Sequence, residues 1–321
     1  MRNERAVNFE SCVGLAGQYK LQAVRPNGEV RDLTDWFSNL ITDVGLDSVA
    51  SADWKKTCQI GTGTTAPSVT NTSLATAFAS TQSQTAETYE SGGSPTYWVQ
   101  VSTSYTFPVG VFGTFTEVGI SRGLHTASPS YLFSRELIRD GAGNPTSITV
   151  LSDEYLIVTY RIRLYPPLTD VTGTVNIAGT DYTYILRAQL AGNFYGWFAG
   201  LQGTGGAFGY YNRGNGYGMY KAYSGDIGTI TGTPSGSVAN GSFLVDAPAY
   251  INGSYYRRNT YAFDFGVANF GGIKSIAFAA DIVQNYVQIG TYQVSFTPVL
   301  PKDSTIRLDV TTAIHWARYV P

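Results

Sequence analysis

Between residues 154 and 164 the chain places an apolar side chain at every second position: Leu156, Val158, Tyr160, Ile162 and Leu164. Thr159, Arg161 and Arg163 fall on the other parity. The C-terminus repeats the design, with Ile306, Leu308, Val310, Ile314 and Trp316 on one parity and Arg307, Asp309, Thr311 and His315 on the other. Successive side chains of a strand point to opposite sides, so each run predicts a long strand with one buried and one wet face. Shorter runs of Val, Ile, Thr, Tyr and Phe, bounded by Gly, Pro, Asn and Ser, predict strands at Lys20–Val24, Tyr97–Val101, Phe115–Ile120, Tyr131–Leu137, Tyr182–Arg187, Ile276–Ala280 and Tyr292–Phe296. The expected fold class is all-β: two tandem antiparallel β-sandwich domains with little helix. Leu33–Ser51 is one helical candidate, with Thr34 or Asp35 capping a short turn and a second piece over Thr42–Ala50. Asn71–Ala79 is the other, with Leu74 and Phe78 four apart.

The two long strands close two similar halves. Tyr105-Thr-Phe-Pro-Val-Gly-Val-Phe-Gly113 looks like Tyr261-Ala-Phe-Asp-Phe-Gly-Val-Ala-Asn-Phe-Gly271. Tyr131-Leu-Phe-Ser-Arg135 is then followed by the first long strand, and Tyr292-Gln-Val-Ser-Phe296 by the second. The offsets are 156 (105 to 261), 161 (131 to 292) and 155 (166 to 321). A length of 321 residues accommodates two domains at about 150 residues each. The expected units are 1–167 and 168–321, the second a repeat of the first, joined at Pro166-Pro167, where two prolines stop ladder pairing.

Composition removes several functions. With 21 basic and 23 acidic residues there is no basic footprint for duplex nucleic acid, and no sequence-specific nucleic acid partner is expected. Two His and two Cys leave little for a zinc site, and no metal or cofactor is expected. No apolar run is long enough for a membrane span, and no apolar segment of signal-peptide type follows Met1-Arg2-Asn3-Glu4-Arg5, which predicts synthesis in a cytoplasm. Cys12 and Cys58 then read as reduced thiols, although a disulfide between them stays open.

The search for a reaction centre finds no specific constellation. His125 lies in a loop-like segment and His315 on the wet parity of the last strand. No Gly-x-Ser-x-Gly elbow stands between a strand and a helix, and Gly203-Thr-Gly205 lacks the Lys and Ser/Thr of a phosphate loop. Asp153 and Glu154 are adjacent and face opposite sides of a strand, so they cannot easily flank one glycosidic bond. Asp43, Asp47 and Asp53 match no calcium-loop spacing. A polysaccharide-degrading enzyme would draw its acids from Asp181, Asp226, Asp246, Asp264 and Asp281, where spacing selects no pair; the expectation is that the chain is not an enzyme.

What the sequence does offer is contact surface. There are 23 Tyr, while charged residues make up only 14%, well below the usual quarter. Tyr supplies amphipathic area at low entropy cost. The candidate contact residues are Trp197, Phe208, Tyr210, Tyr211, Tyr217 and Tyr220 in the Gly/Tyr-rich stretch, and Tyr255, Tyr256, Arg257 and Arg258 beyond it.

Several pieces occur in a telling order: Trp36-Phe-Ser-Asn-Leu-Ile-Thr-Asp-Val-Gly-Leu46, Ile60-Gly-Thr-Gly-Thr-Thr-Ala-Pro67, Asn71-Thr-Ser-Leu74, Phe115-Thr-Glu-Val-Gly-Ile120, Leu132-Phe-Ser-Arg135, Asp140-Gly-Ala-Gly-Asn-Pro-Thr-Ser147 and Asp153-Glu-Tyr-Leu156. In this order they resemble a recurring type of tailed-bacteriophage virion structural protein. The resemblance covers about residues 25–166 and the Trp316-Ala-Arg318 ending; residues 190–260 have no counterpart in it. It implies a virion protein of the tail, neck, collar or fibre attachment, partnered by copies of itself in a homo-oligomer and by other virion structural proteins. The alternative is a receptor-binding, lectin-like appendage in which Trp197 or Tyr211 stacks on a host surface glycan. Within these pieces Gly61 and Gly63 are expected to take positive φ in a tight turn, and Glu117 either to lie on a wet strand face or to pair with Arg122 or Arg135.

Overall fold

The computed structural model describes residues 3–50, 54–127, 131–190, 220–283 and 287–321. The first half runs through β1 (Asn3–Val24), β2 (Val30–Asp32), β3 (Phe37–Ser38), β4 (Leu40–Ile41) and the helix α1 (Asp43–Val49). It continues with β5 (Thr57–Gly61), β6 (Ala77–Thr81), β7 (Gln84–Gly92), β8 (Trp98–Thr106) and β9 (Gly113–Phe115). Then come β10 (Glu117–Ser121), β11 (Leu132–Leu137), β12 (Ile148–Val150) and β13 (Tyr155–Tyr165). The second half holds β14 (Val171–Ile177), β15 (Thr180–Ala188), β16 (Tyr220–Tyr223), β17 (Val238–Asn240) and β18 (Ser242–Asp246). It ends with β19 (Tyr256–Phe263), β20 (Ile273–Val283), β21 (Val287–Leu300) and β22 (Ile306–Arg318).

The chain is all-β, and the two alternating runs are the strands β13 and β22, each with its apolar parity buried. The organising element is β1, of which only Lys20–Val24 is legible as a strand in the sequence. Its odd positions Val7, Phe9, Val13, Leu15, Tyr19, Leu21 and Ala23 are buried. Its first half pairs in parallel with β22, from Asn3 opposite Ile306 to Leu15 opposite Arg318. Its second half pairs antiparallel with β13, from Gly14 opposite Tyr165 to Val24 opposite Tyr155. The parallel ladder departs from the antiparallel expectation. It is possible because nearly the whole chain lies between its two strands, far more than a parallel pair needs to cross over.

The large sheet runs β18-β19-β22-β1-β13-β8-β7, with β2 and β3 also on β1. It therefore takes strands from both sides of the expected join at residue 167. A five-stranded sheet, β4-β11-β10-β5-β6, and a six-stranded sheet, β14-β15-β21-β20-β16-β17, complete the layers. Both pack on the inner side of β1. Tyr19 meets Ser134 of β11, Oη to Oγ at 2.7 Å, while the Phe9 ring contacts Tyr184 of β15 at 5.0 Å and Phe296 of β21 at 5.7 Å.

The connection order of the two halves matches strand by strand. Setting aside β9 and β12, which pair with each other, and β14, an added edge strand, the chain visits β4, β5, β6, β7, β8, β10, β11 and β13, then in the second half β15, β16, β17, β18, β19, β20, β21 and β22. Corresponding strands occupy corresponding places in their sheets. Tyr105 stands opposite Val158, and Tyr261 opposite Val310. The ladders thus make Val310 the counterpart of Val158, an offset of 152 where the terminal prolines suggested 155. Tyr131 is not the counterpart of Tyr292: it lies outside β11 with φ of 51°.

The helical expectations are met only in part. Thr42 caps α1 by accepting the Gly45 N–H at 2.8 Å, within the expected Thr42–Ala50. Residues 37–41 instead contribute β3 and β4, and Thr34 caps nothing helical: its Oγ1 accepts the Leu21 N–H. Asn71–Ala79 forms no helix. Phe78 sits in β6 on the edge of its sheet, and residues 71–76 belong to a loop held by Glu117.

Candidate contact surface

The pieces that carry the virion resemblance meet at one buried carboxylate. Glu117 and Arg135 are almost completely buried and pair at 2.8 Å, Arg135 Nε donating to Glu117 Oε2. The remaining Glu117 lone pairs accept the backbone N–H groups of Gly63, Ala75 and Thr76 at 2.7–3.0 Å. Arg135 reaches on to Asn71 Oδ1 and the Thr65 carbonyl. The β5–β6 loop is thereby held over the outer side of the five-stranded sheet. Of the open alternatives for Glu117, the pairing with Arg135 is the one formed, and the wet-face reading is corrected. Gly61 and Gly63 are also corrected: neither has positive φ. A Cβ on Gly63 would stand 2.4 Å from Glu117 Oε1, so glycine is needed for close approach to the carboxylate.

Of the ten sequence-derived contact residues, Tyr220 and Arg257 are buried, and five (Trp197, Phe208, Tyr210, Tyr211 and Tyr217) lie outside the described residues. Tyr220 is interior: its ring stacks on Tyr261 at 4.3 Å and Phe278 at 5.3 Å, and its hydroxyl meets Thr312. Tyr255 is half-buried against the core. Arg257 and Arg258 do not form one patch, because strand alternation sends them to opposite sides of β19. Arg257 is buried, and Arg258 is exposed beside Asp246 at 3.5 Å. Tyr256 lies on the outer side next to His315, ring to ring at 4.7 Å.

Acidic candidates are occupied by protein donors. Asp43 accepts from Arg318, and Asp47 accepts from Tyr250 Oη and Gly253 N, tying α1 to the second half. Asp226, Asp246 and Asp181 meet Lys274, Arg258 and Asn176. Asp264 Oδ1 accepts the Phe265 N–H, and the Asp281 side chain lies outside the described residues. Glu154 is buried on the apolar parity and binds Arg31 at 2.6 Å. Among the described residues no cluster of three His, Cys, Asp or Glu could hold a metal ion. His125 Nδ1 shares a 2.7 Å hydrogen bond with Ser80 Oγ, which also accepts the His125 backbone N–H. That double contact fastens the loop to β6, and no described carboxylate orients the imidazole. Cys12, exposed, and Cys58, buried, are both free thiols. No helix among the described residues is long and apolar enough to cross a membrane.

The outward face of the large sheet carries a constellation the sequence did not reveal. On β13, Arg161 and Arg163 point outward. The Arg161 Cζ lies 3.9 Å from the Trp36 ring centroid, and that of Arg163 4.0 Å from the Trp98 centroid. Each Nε donates to a glutamine, Gln18 Oε1 at 2.7 Å and Gln100 Oε1 at 2.8 Å. Burial first, then the like charge of Arg163, lower the pKa of Arg161, which still stays protonated as a guanidinium does. Trp36 also borders a shallow cleft of about 420 Å³ lined by Asp35, Glu136, Arg139 and Asp140. Alternation assigned both arginines to a wet face. Nothing local indicated that Trp36, over a hundred residues away, would cover one of them. No family model, curated protein or solved structure matches the chain.

Proposed function

We propose that this chain is a non-enzymatic structural protein of a tailed-phage virion, placed in the tail, neck, collar or fibre attachment. It works by assembly, burying β faces against copies of itself and neighbouring virion proteins. One observation supports this reading above the others. The residues that carry the resemblance (Gly63, Thr65, Asn71, Glu117 and Arg135) converge on a framework contact that holds a loop on a sheet, not on a cleft with free acids. A buried contact that fastens a loop to a sheet is what a scaffold needs. The large sheet adds an outward side that neither smaller sheet covers. Identical protomers on a particle close into rings, so a cyclic homo-oligomer is expected.

Two measurements test the reading. Mass measurement on the eluting peak of a sizing column should give a closed homo-oligomer, alone or on mixing with extracts of the producing particles. Mass spectrometry of purified particles should return peptides of this chain. A monomer at every concentration together with absence from particles overturns it.

A further inference from the structure

Arg161 and Arg163 are two residues apart on one side of β13, which sets their Cα atoms about 6.5–7 Å apart. Both are held alike, one face on an indole and Nε on a glutamine oxygen. Gln100 is itself buried and passes its amide N–H groups to Glu90 and Ser102. Stacking and the Nε bond fix each guanidinium plane and leave the Nη edge available, the edge that makes two-pronged contact with a carboxylate. Among the described residues neither arginine has an ion pair at contact distance; Glu90, bound to Gln100, acts on Arg161 only through its field, and the two like charges stand side by side.

The cleft beside Trp36 has the opposite character. Asp35 and Asp140 would repel a second anion and accept hydrogen bonds from hydroxyls, while the buried Glu136 is already held by Arg139. A ligand that suits both parts carries carboxylates at one end and hydroxyls at the other. An acidic peptide offers hydroxyls only where Ser, Thr or Tyr fall beside its acids, whereas a sugar ring carries several on every unit. A protein interface would also want apolar anchors at its centre, whereas here one face of each indole is covered by a guanidinium. We infer that this surface binds an acidic polysaccharide, its carboxylates on Arg161 and Arg163 and its neighbouring sugar hydroxyls in the cleft beside Trp36. The assignment does not depend on the assembly role.

The test is calorimetric titration of the full chain with tetragalacturonate, a hyaluronan tetrasaccharide and a sialic acid dimer. Maltotetraose and tetraglutamate serve as neutral and acidic controls. At least one acidic saccharide should bind, about tenfold or more tighter than either control, and more weakly as salt rises. Arg161→Gln and Arg163→Gln should each weaken it by about tenfold or more, and Arg161→Lys nearly as much, because an ammonium neither forks nor stacks. Thermal melts and oligomer mass should stay as in the parent. Silence to all three acidic saccharides, equal binding of either control, or binding indifferent to both Gln substitutions overturns the proposal. Loss of the oligomer in the Gln variants also overturns it, since the arginines would then belong to an assembly contact.

Discussion

Gln293 occupies in the second half the place that Arg135 occupies in the first. Arg135 lies opposite Gly119 in the β10–β11 ladder, and Gln293 opposite Ala277 in β20–β21. The neighbouring polar residues Glu117 and Ser275 correspond at the same 158-residue offset (117 to 275, 135 to 293). All four are buried, and each pair fastens a loop over the outer side of its own sheet. Gln293 bonds Gly228 N at 2.8 Å and the Gly228 and Thr229 carbonyls, while Ser275 Oγ donates to the Gly225 carbonyl at 2.6 Å. One device is thus built twice, charged in the first half and neutral in the second.

The chemistry of the two versions predicts unequal losses. Arg135→Ala strands the Glu117 carboxylate in the interior, which should cost about 3–5 kcal/mol. Gln293→Ala leaves only neutral backbone groups short of partners, about 1–3 kcal/mol. Urea denaturation of the two variants decides it; equal losses would mean that the buried charge is not what distinguishes the halves.

A second prediction concerns the close approach of α1 to β11. A Cβ on Gly45 would stand 2.0 Å from the Phe133 carbonyl oxygen, and the next nearest atoms are also Phe133 backbone, which cannot swing away. Gly45→Ala should therefore destabilise despite the better helix propensity of alanine. The steric cost, about 1–3 kcal/mol, exceeds the roughly 1 kcal/mol that propensity returns. A thermal melt at or above the parent value would show that the helix can shift outward.

These two devices also mark where the sequence was readable. The strands β13 and β22 were legible because strong apolar residues alternate with polar ones without a break. On β1 the same two-residue period is diluted by Ser11, Gly14, Ala16 and Gly17, so only its last five residues stood out. Periodicity tells which side of a strand is buried and nothing of its neighbour, so the β1–β22 pairing across the whole chain was hidden. The same limit applies at the candidate site. Arg161 and Arg163 were assigned to the right side, while Trp36 and Trp98 arrive there through tertiary packing. Tyr220 was misread because a Tyr beside a Gly-rich stretch looks exposed, although its parity in β16 places it inward.

Glu136 gives a pH prediction. Burial raises its carboxyl pKa above the ordinary value, against the opposing pull of Arg139. A carboxyl raised on folding favours the native state below its unfolded pKa, and that contribution is lost as pH rises through the folded value. Glu136→Gln should accordingly stabilise at neutral pH, and the gain should vanish under acid conditions below the usual Glu range of about 4. Stability curves against pH check the sign. A variant weaker than the parent at neutral pH would mean that the Arg139 contact outweighs burial.

Thiol labelling tests the orientation of β1. Cys12 is exposed and on the outer parity, whereas Cys58 is completely buried in β5. Under native conditions a maleimide should modify Cys12 alone, with Cys58 reacting only after denaturant is added. Peptide mapping reads the result. Protection of Cys12 in the oligomer but not in a dilute monomer would further place this face in a contact between copies.

The last prediction concerns whether the halves unfold together. Trp316, fully buried on β22, donates through Nε1 to the Leu46 carbonyl of α1 at 2.8 Å and stacks on Tyr250. Arg318 reaches the Ile41 carbonyl and Asp43 of the same region. The strand that carries both residues is the parallel partner of β1, whose other ladder belongs to the first half. Damage at Trp316 should therefore reach both halves, although the residue closes the second. Trp316→Ala is expected to cost about 3–5 kcal/mol. Hydrogen exchange should show the loss equally in β5 and β20, within one cooperative transition. If only β20 lost protection, β1 would be a tether between two units that fold separately, not a strand they share.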